Sequence, residues 1–253
     1  MNPIRQSIRL VTGKSSHYTV RLSRCVAEVQ AAQELRYKVF NLELKEGLAE
    51  SHATGRDADE FDQVCDHLIV EHLPTGQVVG TYRLQTGESA ARGLGYYSAQ
   101  EFFFEPFERF RSQMVELGRA CVEGQHRNLV VLGLLWRGIA SYGRERGARY
   151  LVGCSSLTSQ DPSAGASAYS QICRKGALAE QEWRTRPKPV YDCPLDQVSG
   201  EPVPIPKLLR AYLTVGAKIC GPPALDTRFK TIDFLTMLDL KALAPATLER
   251  FLG

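Results

Sequence analysis

The amino-acid sequence predicts an α/β protein in which a mixed β-sheet carries helices on both faces. Two observations support this fold class. Strand-like and helix-like segments alternate along the 253 residues, and a helix follows each of the later strands, as crossover connections require. Two earlier strands are separated only by Pro74, Thr75 and Gly76, a short turn that makes them antiparallel neighbours. A sheet with both kinds of pairing is covered by helices on its two faces.

Short runs of apolar residues, some alternating with polar ones, predict the strands. The first run is Y-T-V-R-L at residues 18–22, where side chains alternate in character. The predicted strands cover residues 18–22, 67–73, 77–84, 113–123, 150–157 and 230–240.

Apolar residues at helical spacing predict the helices, as Val26, Val29 and Ala32 do in the first of them. The predicted helices cover residues 25–40, 98–110, 129–146, 164–178, 205–219 and 245–252. Residues 41–66 are polar and predict a long loop, a kind of segment that is often functional. Residues 184–206 are rich in proline and predict an extended excursion within the domain.

Composition limits the classes of function. Hydrophobic residues make up 43% and charged residues 23% of the chain, as in ordinary folded domains. The net charge of +3 does not favour nucleic-acid binding, and no apolar run is long enough to span a membrane. No secretory signal is evident, so we expect a cytoplasmic protein. We predict a single domain over residues 1–253, with residues 1–17 as a flexible N-terminal segment.

Cysteine and histidine spacing gives no sign of a metal site. The seven cysteines include no C-x-x-C pair, and the five histidines form no H-x-x-x-H pattern. We therefore expect neither a metal nor another cofactor. The serines at 155 and 156 lack the G-x-S-x-G context of a serine hydrolase, so a covalent acyl-enzyme is not expected either.

Four segments, in this order along the chain, carry a family resemblance. They are E-L-R-Y-K-V-F at 34–40, D-E-F-D at 59–62, V-G-T-Y-R-L at 79–84 and V-E-L-G-R at 115–119. Residues 134–138, 151–155, 208–217 and 226–234 agree with the same pattern. Together they resemble the N-acyl amino acid synthases, in particular the ornithine-lipid N-acyltransferases. These are similar to acyl-homoserine-lactone synthases and belong to the GNAT superfamily.

The resemblance implies a GNAT-like fold and an acyl-transfer reaction. In that fold, a mostly antiparallel sheet splays between two central parallel strands, and the pantetheine arm of the donor lies in the cleft. The donor would be a (3-hydroxy)fatty acyl group on acyl carrier protein, with acyl-CoA as the second choice. The acceptor would be the α-amine of an amino acid, ornithine in the first place, and the product would be a lyso-ornithine lipid. Peripheral contact with the inner membrane is a further expectation.

Glu116 is the first candidate for catalysis, because an amine must lose its proton before it attacks a thioester and a positioned carboxylate accepts that proton. Arg119 and Asp62 complete the candidate catalytic set. The alternative is that Glu116 forms only a structural ion pair with Arg83 or Arg119. Glu116 and Arg119 have odd spacing on a strand, so they face one side only if a bulge lies near Gly118.

Four residues are candidates for binding the acceptor. Arg36 and Phe40 share a helix face, Asp59 belongs to the acidic loop, and Arg83 needs a carboxylate partner if it is buried. Asp59 and its neighbours could attract a dibasic amino acid. The alternatives are a solvated acidic loop and a solvated arginine at position 36.

Cys121, Val122, Arg127 and Leu129 are candidates for binding the pantetheine of the donor, with backbone amides near Cys121 polarising the thioester. Residues 127–133 occupy the place of the glycine-rich turn of CoA users but carry bulky side chains, which favours a carrier-protein donor. Basic residues on the following helix could dock an acidic carrier protein or could simply be solvated. The phenylalanines at 102–104, 107 and 110 could wall an acyl pocket or belong to the core.

Three rival functions remain open at this stage. The first is another N-acyl amino acid or acyl-homoserine-lactone synthase, and the second is a CoA-dependent acetyltransferase. The third, from a different class, is a non-enzymatic membrane-lytic protein. The absence of a long cationic amphipathic helix argues against lysis.

Overall fold

The computed structural model of this chain describes residues 15–198 and 202–243. These residues form an eight-stranded sheet in the order β1-β2-β3-β4-β5-β8-β6, with β7 paired to β8. The strands are β1 Tyr18–Leu22, β2 Asp66–His72, β3 Gln77–Thr86, β4 Met114–Val122, β5 Tyr150–Leu157, β6 Lys218–Ile219, β7 Ala224–Asp226 and β8 Thr231–Asp239. Every pair is antiparallel except β4 with β5, so the predicted mixed and mostly antiparallel sheet is confirmed.

The helices are α1 Val26–Tyr37, α2 Ser51–Thr54, α3 Gly87–Arg92, α4 Glu105–Glu108, α5 Leu129–Glu145, α6 Pro162–Arg174 and α7 Lys207–Thr214. A π-helical segment, Lys38–Glu43, continues α1. Helix α1 packs on β3 and β4, where it meets the face of β3 that carries Arg83. Helix α5 packs on β1 to β3 and shares a core with Tyr82 and Leu84, which lie on the opposite face of β3.

The predicted helix at 98–110 is wrong. Phe102 instead forms a β-bridge with Pro187, and the Phe103 backbone N–H donates to the carbonyl of Arg186. Pro106, which has no N–H to donate, lies in the four-residue helix α4. The phenylalanines at 102, 104 and 107 are buried with Trp183 and line neither of the cavities described below, in agreement with the core alternative.

Other differences lie in the C-terminal half and at element ends. The helix predicted at 205–219 ends at Thr214, because Gly216 turns the chain at a φ of 102° and residues 218–219 join the sheet as β6. Strand β7 and helix α3 were not predicted. Residues 184–198 and 202–206 contain only short helical turns and isolated bridges, as expected of an extended excursion. The predicted helix at 245–252 and residues 1–14 of the predicted N-terminal segment lie outside the described residues.

The pairing of the parallel strands β4 and β5 ends early and leaves a gap in the sheet. The two strands pair only from Met114 with Tyr150 to Glu116 with Val152, and then they separate. Gly153 marks the place of separation, because a Cβ atom there would lie 2.1 Å from the Leu117 carbonyl oxygen. Only a glycine therefore allows the two backbones to come this close before they diverge.

We predict that Gly153→Ala destabilises the protein by about 1–3 kcal/mol, since the added methyl group collides with backbone that cannot rotate away. Gly133→Ala in helix α5 is the matched control, because its Cβ would meet nothing within 4 Å. That control should be neutral or should stabilise by about 0.5–1 kcal/mol. Chemical denaturation measures both, and equal stability of the two variants would contradict this explanation of the splay.

Candidate active site

A cavity of about 620 Å³ opens where β4 and β5 diverge. Residues 117–122 of β4 and 154–156 of β5 line it, together with side chains from the π-helical segment that continues α1, from α5 and from α7. A smaller cavity of about 80 Å³ shares residues 117–120 and 154–155 with the first, and its walls include Trp136, Ile139 and Leu238. The two cavities therefore share part of the wall formed by β4 and β5, and the charged side chains of Arg83 and Glu116 line only the larger one.

The bulge expected near Gly118 is present. Thr81 pairs with Cys121 but Arg83 pairs with Gly118, so β4 carries one extra residue against β3. Arg119 occupies this bulge with a φ of 48°, the left-handed region that residues other than glycine rarely adopt. A bulge leaves backbone groups unpaired and redirects the side chain, which here brings Arg119 to the cavity wall.

Three arginines and three aspartates form a closed ring of alternating charges beside this cavity, called the six-charge ring below. Its members are Arg36, Asp62, Arg83, Asp59, Arg119 and Asp57, in the order in which they contact one another. Each aspartate lies between two arginines. The six formal charges cancel, so the cost of burying them is largely compensated.

The ring links helix α1, the loop before β2, β3 and the bulge of β4. Arg36 Nη2 lies 2.6 Å from Asp62 Oδ2 and 3.5 Å from Asp57 Oδ1. Arg83 Nη1 lies 2.5 Å from Asp59 Oδ1 and 3.2 Å from Asp62 Oδ1.

Arg119 closes the ring at 3.3 Å from Asp57 Oδ1 and 3.2 Å from Asp59 Oδ2. Its guanidinium also stacks over the rings of Tyr97 and Phe229, with centroid distances of 4.7 and 4.5 Å. These contacts hold the side chain on the cavity wall despite the unusual backbone conformation.

The ring changes the interpretation of the acidic loop. Asp59 caps the helical turn Glu60–Gln63 and Asp62 is buried, so this loop is not a solvated acidic surface. Burial alone would raise the pKa of Asp62, but the Arg36 and Arg83 guanidiniums hold that pKa well below its ordinary value. Such a carboxylate is a poor proton acceptor. Asp62, Asp59 and Arg36 do not line the cavity, whereas Arg83, Arg119 and Phe40 do.

Arg83 keeps one free donor next to the cavity. Its side chain is buried, and within the described residues Nη2 has no hydrogen-bond partner. The predicted partner of Arg83 was Glu116, and that pairing is wrong, because Asp59 and Asp62 approach the guanidinium instead. An unpaired buried N–H of this kind is suited to an anionic group of a ligand.

Glu116 binds backbone rather than an arginine. Its two oxygens accept hydrogen bonds from the N–H groups of Tyr97 at 2.7 Å and Ser98 at 2.8 Å. No ion pair of Glu116 with Arg83 or Arg119 is found in the described part of the chain, so that alternative is wrong. Glu116 is buried in the cavity wall, and burial raises its pKa above the ordinary value. A raised pKa suits a group that must accept a proton near neutral pH.

The four residues predicted for the donor lie along one stretch of the cavity wall. Cys121, Val122, Arg127 and Leu129 all line it. Burial raises the pKa of the Cys121 thiol to about 12, so it stays protonated and is no nucleophile. The N-terminus of α5 is capped by Asn128, whose Oδ1 accepts from the N–H groups of Val130 and Val131 at 3.0 Å each.

Four buried acids that were not predicted as site residues form a second cluster, called the carboxylate pocket below: Glu46, Glu101, Asp226 and Asp233. Single oxygens of Glu101, Asp226 and Asp233 lie within 4.8 Å of one another. Glu46, Asp226 and Asp233 line the large cavity. One signal was available, since Asp233 stands within an apolar strand, T-I-D-F-L at 231–235, where an acid needs a reason. These carboxylates are hard oxygen ligands, so the expectation of no metal, which rested on histidine and cysteine spacing, stays a prediction.

Within residues 15–198 and 202–243, none of the helices combines the length and apolar character needed to cross a bilayer. The expected peripheral contact with a membrane stays a prediction.

The known proteins that this chain resembles agree with the geometry of the site. Residues 35–137 match the family described as acetyltransferase (GNAT) domain. The chain is 34% identical over 250 residues to the L-ornithine N(alpha)-acyltransferase of Brucella abortus (strain 2308), with 93% of this chain and 89% of the relative covered. It is 33% identical to the enzyme of the same name from Rhizobium meliloti (strain 1021), with 91% and 82% covered.

Solved structures share the fold at low sequence identity. The AHL synthase LasI superposes with a TM-score of 0.52 at 14% identity, covering 92% of this chain and 95% of its own. FeeM, an N-acyl amino acid synthase from uncultured soil microbes, also gives 0.52, at 9% identity and with 92% and 94% covered.

We predict that Arg36→Met lowers the free energy of unfolding by about 3–5 kcal/mol, because it leaves Asp57 and Asp62 with one cation each in a buried site. The matched control is Arg92→Ala, which removes an exposed pair with Glu88 and should cost about 0–1 kcal/mol. Urea titration followed by circular dichroism measures both changes. If Arg36→Met lowers the free energy of unfolding no more than the control does, the six-charge ring does not stabilise this region.

Proposed function

Because the chain belongs to the family of L-ornithine N(alpha)-acyltransferases, we propose that it transfers a fatty acyl group from a thioester to the α-amine of L-ornithine. One observation carries the proposal. A single cavity between the splayed strands is lined by the predicted donor residues, by Arg83 and Arg119, and by the buried carboxylate of Glu116. A thioester and an amino acid can therefore meet there with a base at hand.

The reaction needs only these two reactants. Glu116 removes a proton from the α-ammonium, and the neutral amine attacks the thioester carbonyl carbon. The C–N bond forms, the C–S bond breaks, and the pantetheine sulfur leaves as a thiol after taking up a proton. Backbone N–H groups released by the bulge at Arg119 stabilise the oxyanion that forms on the way.

The acceptor's α-carboxylate fits the arginine wall. Arg83 offers Nη2 without a partner, and Arg119 lines the same cavity. The other members of the six-charge ring act as positioning residues in this scheme. Asp59 and Asp62 orient Arg83, and Arg36 orients Asp62. Phe40 packs edge-on against Phe229 at 5.5 Å and forms part of the cavity wall.

The donor site favours a carrier protein over CoA. The Asn128 side chain already occupies N–H groups at the N-terminus of α5, where a CoA pyrophosphate would otherwise bind. The exposed Lys207 lines the cavity and can meet the single phosphate of phosphopantetheine. Arg127 lines it too, with its guanidinium paired to Glu43 and bonded to the Val122 carbonyl. Leu129, 78% exposed, lines the same cavity beside the cap.

The test of the proposal is acyl transfer to L-ornithine from a 3-hydroxyacyl thioester of acyl carrier protein, with the amide product measured by mass spectrometry. We predict that Glu116→Gln lowers kcat by roughly 100- to 10,000-fold, the range for loss of a general base. Exposed Glu88→Gln is the control. Because the pKa of Glu116 is raised, wild-type kcat should increase with pH as this carboxyl group loses its proton.

A purely structural role for Glu116 predicts a different result. Glutamine would then disturb residues 97 and 98 and lower stability, but the acid limb of the pH profile would persist in the variant. If no amide product forms with any amino acid, the proposed function itself is wrong.

We predict that Lys207→Ala raises the KM for the carrier-protein thioester several-fold, since it removes a cation from the cavity mouth. The KM for the same acyl group on plain pantetheine, which has no phosphate, should not change. Lys175→Ala, an exposed lysine at the end of α6, is the control. If kcat/KM is equal for the CoA and carrier-protein thioesters, the proposed preference for a carrier-protein donor is wrong.

A further inference from the structure

The acids of the carboxylate pocket have no cationic partner close by in the described part of the protein. In the described residues, none of its four acids has an arginine or lysine nitrogen within 4.0 Å. This differs from the six-charge ring, where every aspartate touches two arginines. Buried carboxylates without partners are costly, so they either hold protons or await a cation.

One oxygen of the pocket is ready for a ligand. Asp233 is 4% exposed; its Oδ2 accepts from the Thr231 hydroxyl at 3.1 Å, while Oδ1 is buried without a partner. Asp226 Oδ1 accepts from the backbone N–H groups of Arg228 and Phe229 at 2.8 and 2.9 Å, which fixes its orientation. Glu46 accepts from the Thr158 hydroxyl. These hydrogen bonds fix the orientation of the carboxylates and leave Asp233 Oδ1 available to a ligand.

The oxygens lie close enough together for one primary ammonium group to contact all three. A tetrahedral –NH₃⁺ that donates three hydrogen bonds of about 2.8 Å holds its acceptors about 4.6 Å apart. The oxygens of Glu101, Asp226 and Asp233 lie within 4.8 Å of one another.

The pocket is close to the reacting end of the cavity. Glu116 Oε1 accepts from the Ser98 N–H at 2.8 Å, and the Ser98 hydroxyl lies 3.4 Å from Cys154 Sγ. The same sulfur lies 3.6 Å from Glu101 Oε2. One residue and one side chain therefore connect the proposed base to the carboxylate pocket.

We propose that the carboxylate pocket binds the side-chain ammonium of the acceptor and thereby selects dibasic amino acids over neutral ones. The inference rests on the proposed N-acyl transfer. Positive charge is then recognised by the carboxylate pocket, and not by Asp59 and its neighbours as the sequence pattern predicts. With the ammonium in the pocket, the α-amine at the other end of the molecule is left for acylation.

Protonation supports the proposal. Burial raises the pKa of Asp233 to about 6 and of Glu46 to about 7, and it holds the pKa of Glu101 well above its ordinary value. Among the groups facing them, Asp226 raises the pKa of Glu101 and Asp233 further, and Arg119 lowers both. The charge of Asp233 raises the pKa of Glu46, and the Cys154 thiol faces Glu101. An incoming ammonium displaces the bound protons. Affinity should therefore increase as the pH rises from about 5 to 8.

The experiment compares L-ornithine with L-norvaline, which has the same carbon skeleton without the side-chain amine. Wild-type protein should prefer ornithine in kcat/KM. Asp233→Asn should reduce that preference by about 10-fold or more, mainly through a higher KM for ornithine, while the norvaline rate falls far less. Exposed Asp192→Asn is the matched control and should keep the wild-type preference.

Calorimetry of L-ornithine binding in two buffers of different ionisation enthalpy gives an independent readout. Wild-type protein should release protons on binding at pH 6.5, and Asp233→Asn should release fewer. If Asp233→Asn proves unstable, Glu46→Gln provides the same comparison. An unchanged ornithine-to-norvaline ratio in the folded variants would overturn the inference.

Two further outcomes separate the inference from its alternatives. Tight binding of Mg²⁺, Ca²⁺ or Mn²⁺ that is lost in Asp233→Asn, with ornithine binding unaffected, would make the pocket a metal site and overturn the proposal. Absence of acyl transfer to any amine would refute the proposed function. Ornithine binding that depends on Asp233 would in that case still support the pocket as an ammonium site.

Discussion

A closed ring of buried charges holds the active-site region of this protein together. Arg36 from α1, Arg83 from β3 and Arg119 from the bulge of β4 are tied to one another through three aspartates of a single loop. Each charge has two partners of opposite sign, so removing any one leaves two neighbours with only part of their compensating charge. The ring fixes the helix, the loop and the bulge relative to the sheet, and it presents Arg83 and Arg119 to the cavity in one orientation.

Departures from regular sheet structure provide the space for the reaction. The parallel pairing of β4 and β5 ends after Glu116, and the strands then diverge around the cavity. At the same level, the extra residue in β4 forces Arg119 into a left-handed conformation that costs energy. The ion pairs and ring contacts of Arg119 offset that cost. A sheet with continuous pairing would be more regular, but it would leave no room for a thioester.

Two groups of acids show how charge compensation separates structural from ligand-binding roles. The aspartates of the ring are balanced by arginines, and the pKa of Asp62 is correspondingly low. The carboxylate pocket has no such partners, and the pKa of Asp233 is raised to about 6. Both groups of acids are largely buried, so burial alone does not distinguish them. The difference lies in whether the protein itself provides the opposite charge or leaves that to a substrate.

Local pattern alone determined the β2–β3 hairpin, helix α5 and strands β5 and β8, because hydrophobic periodicity and turn residues act over a few neighbours. The sequence motifs also singled out Glu116, Arg83 and Arg119 as residues of the site. Only the tertiary structure decided which charges meet. Asp59 rather than Glu116 approaches Arg83, and acids as distant in sequence as Glu101 and Asp233 share one pocket. Such pairings depend on where the chain crosses itself, and no short-range pattern carries that information.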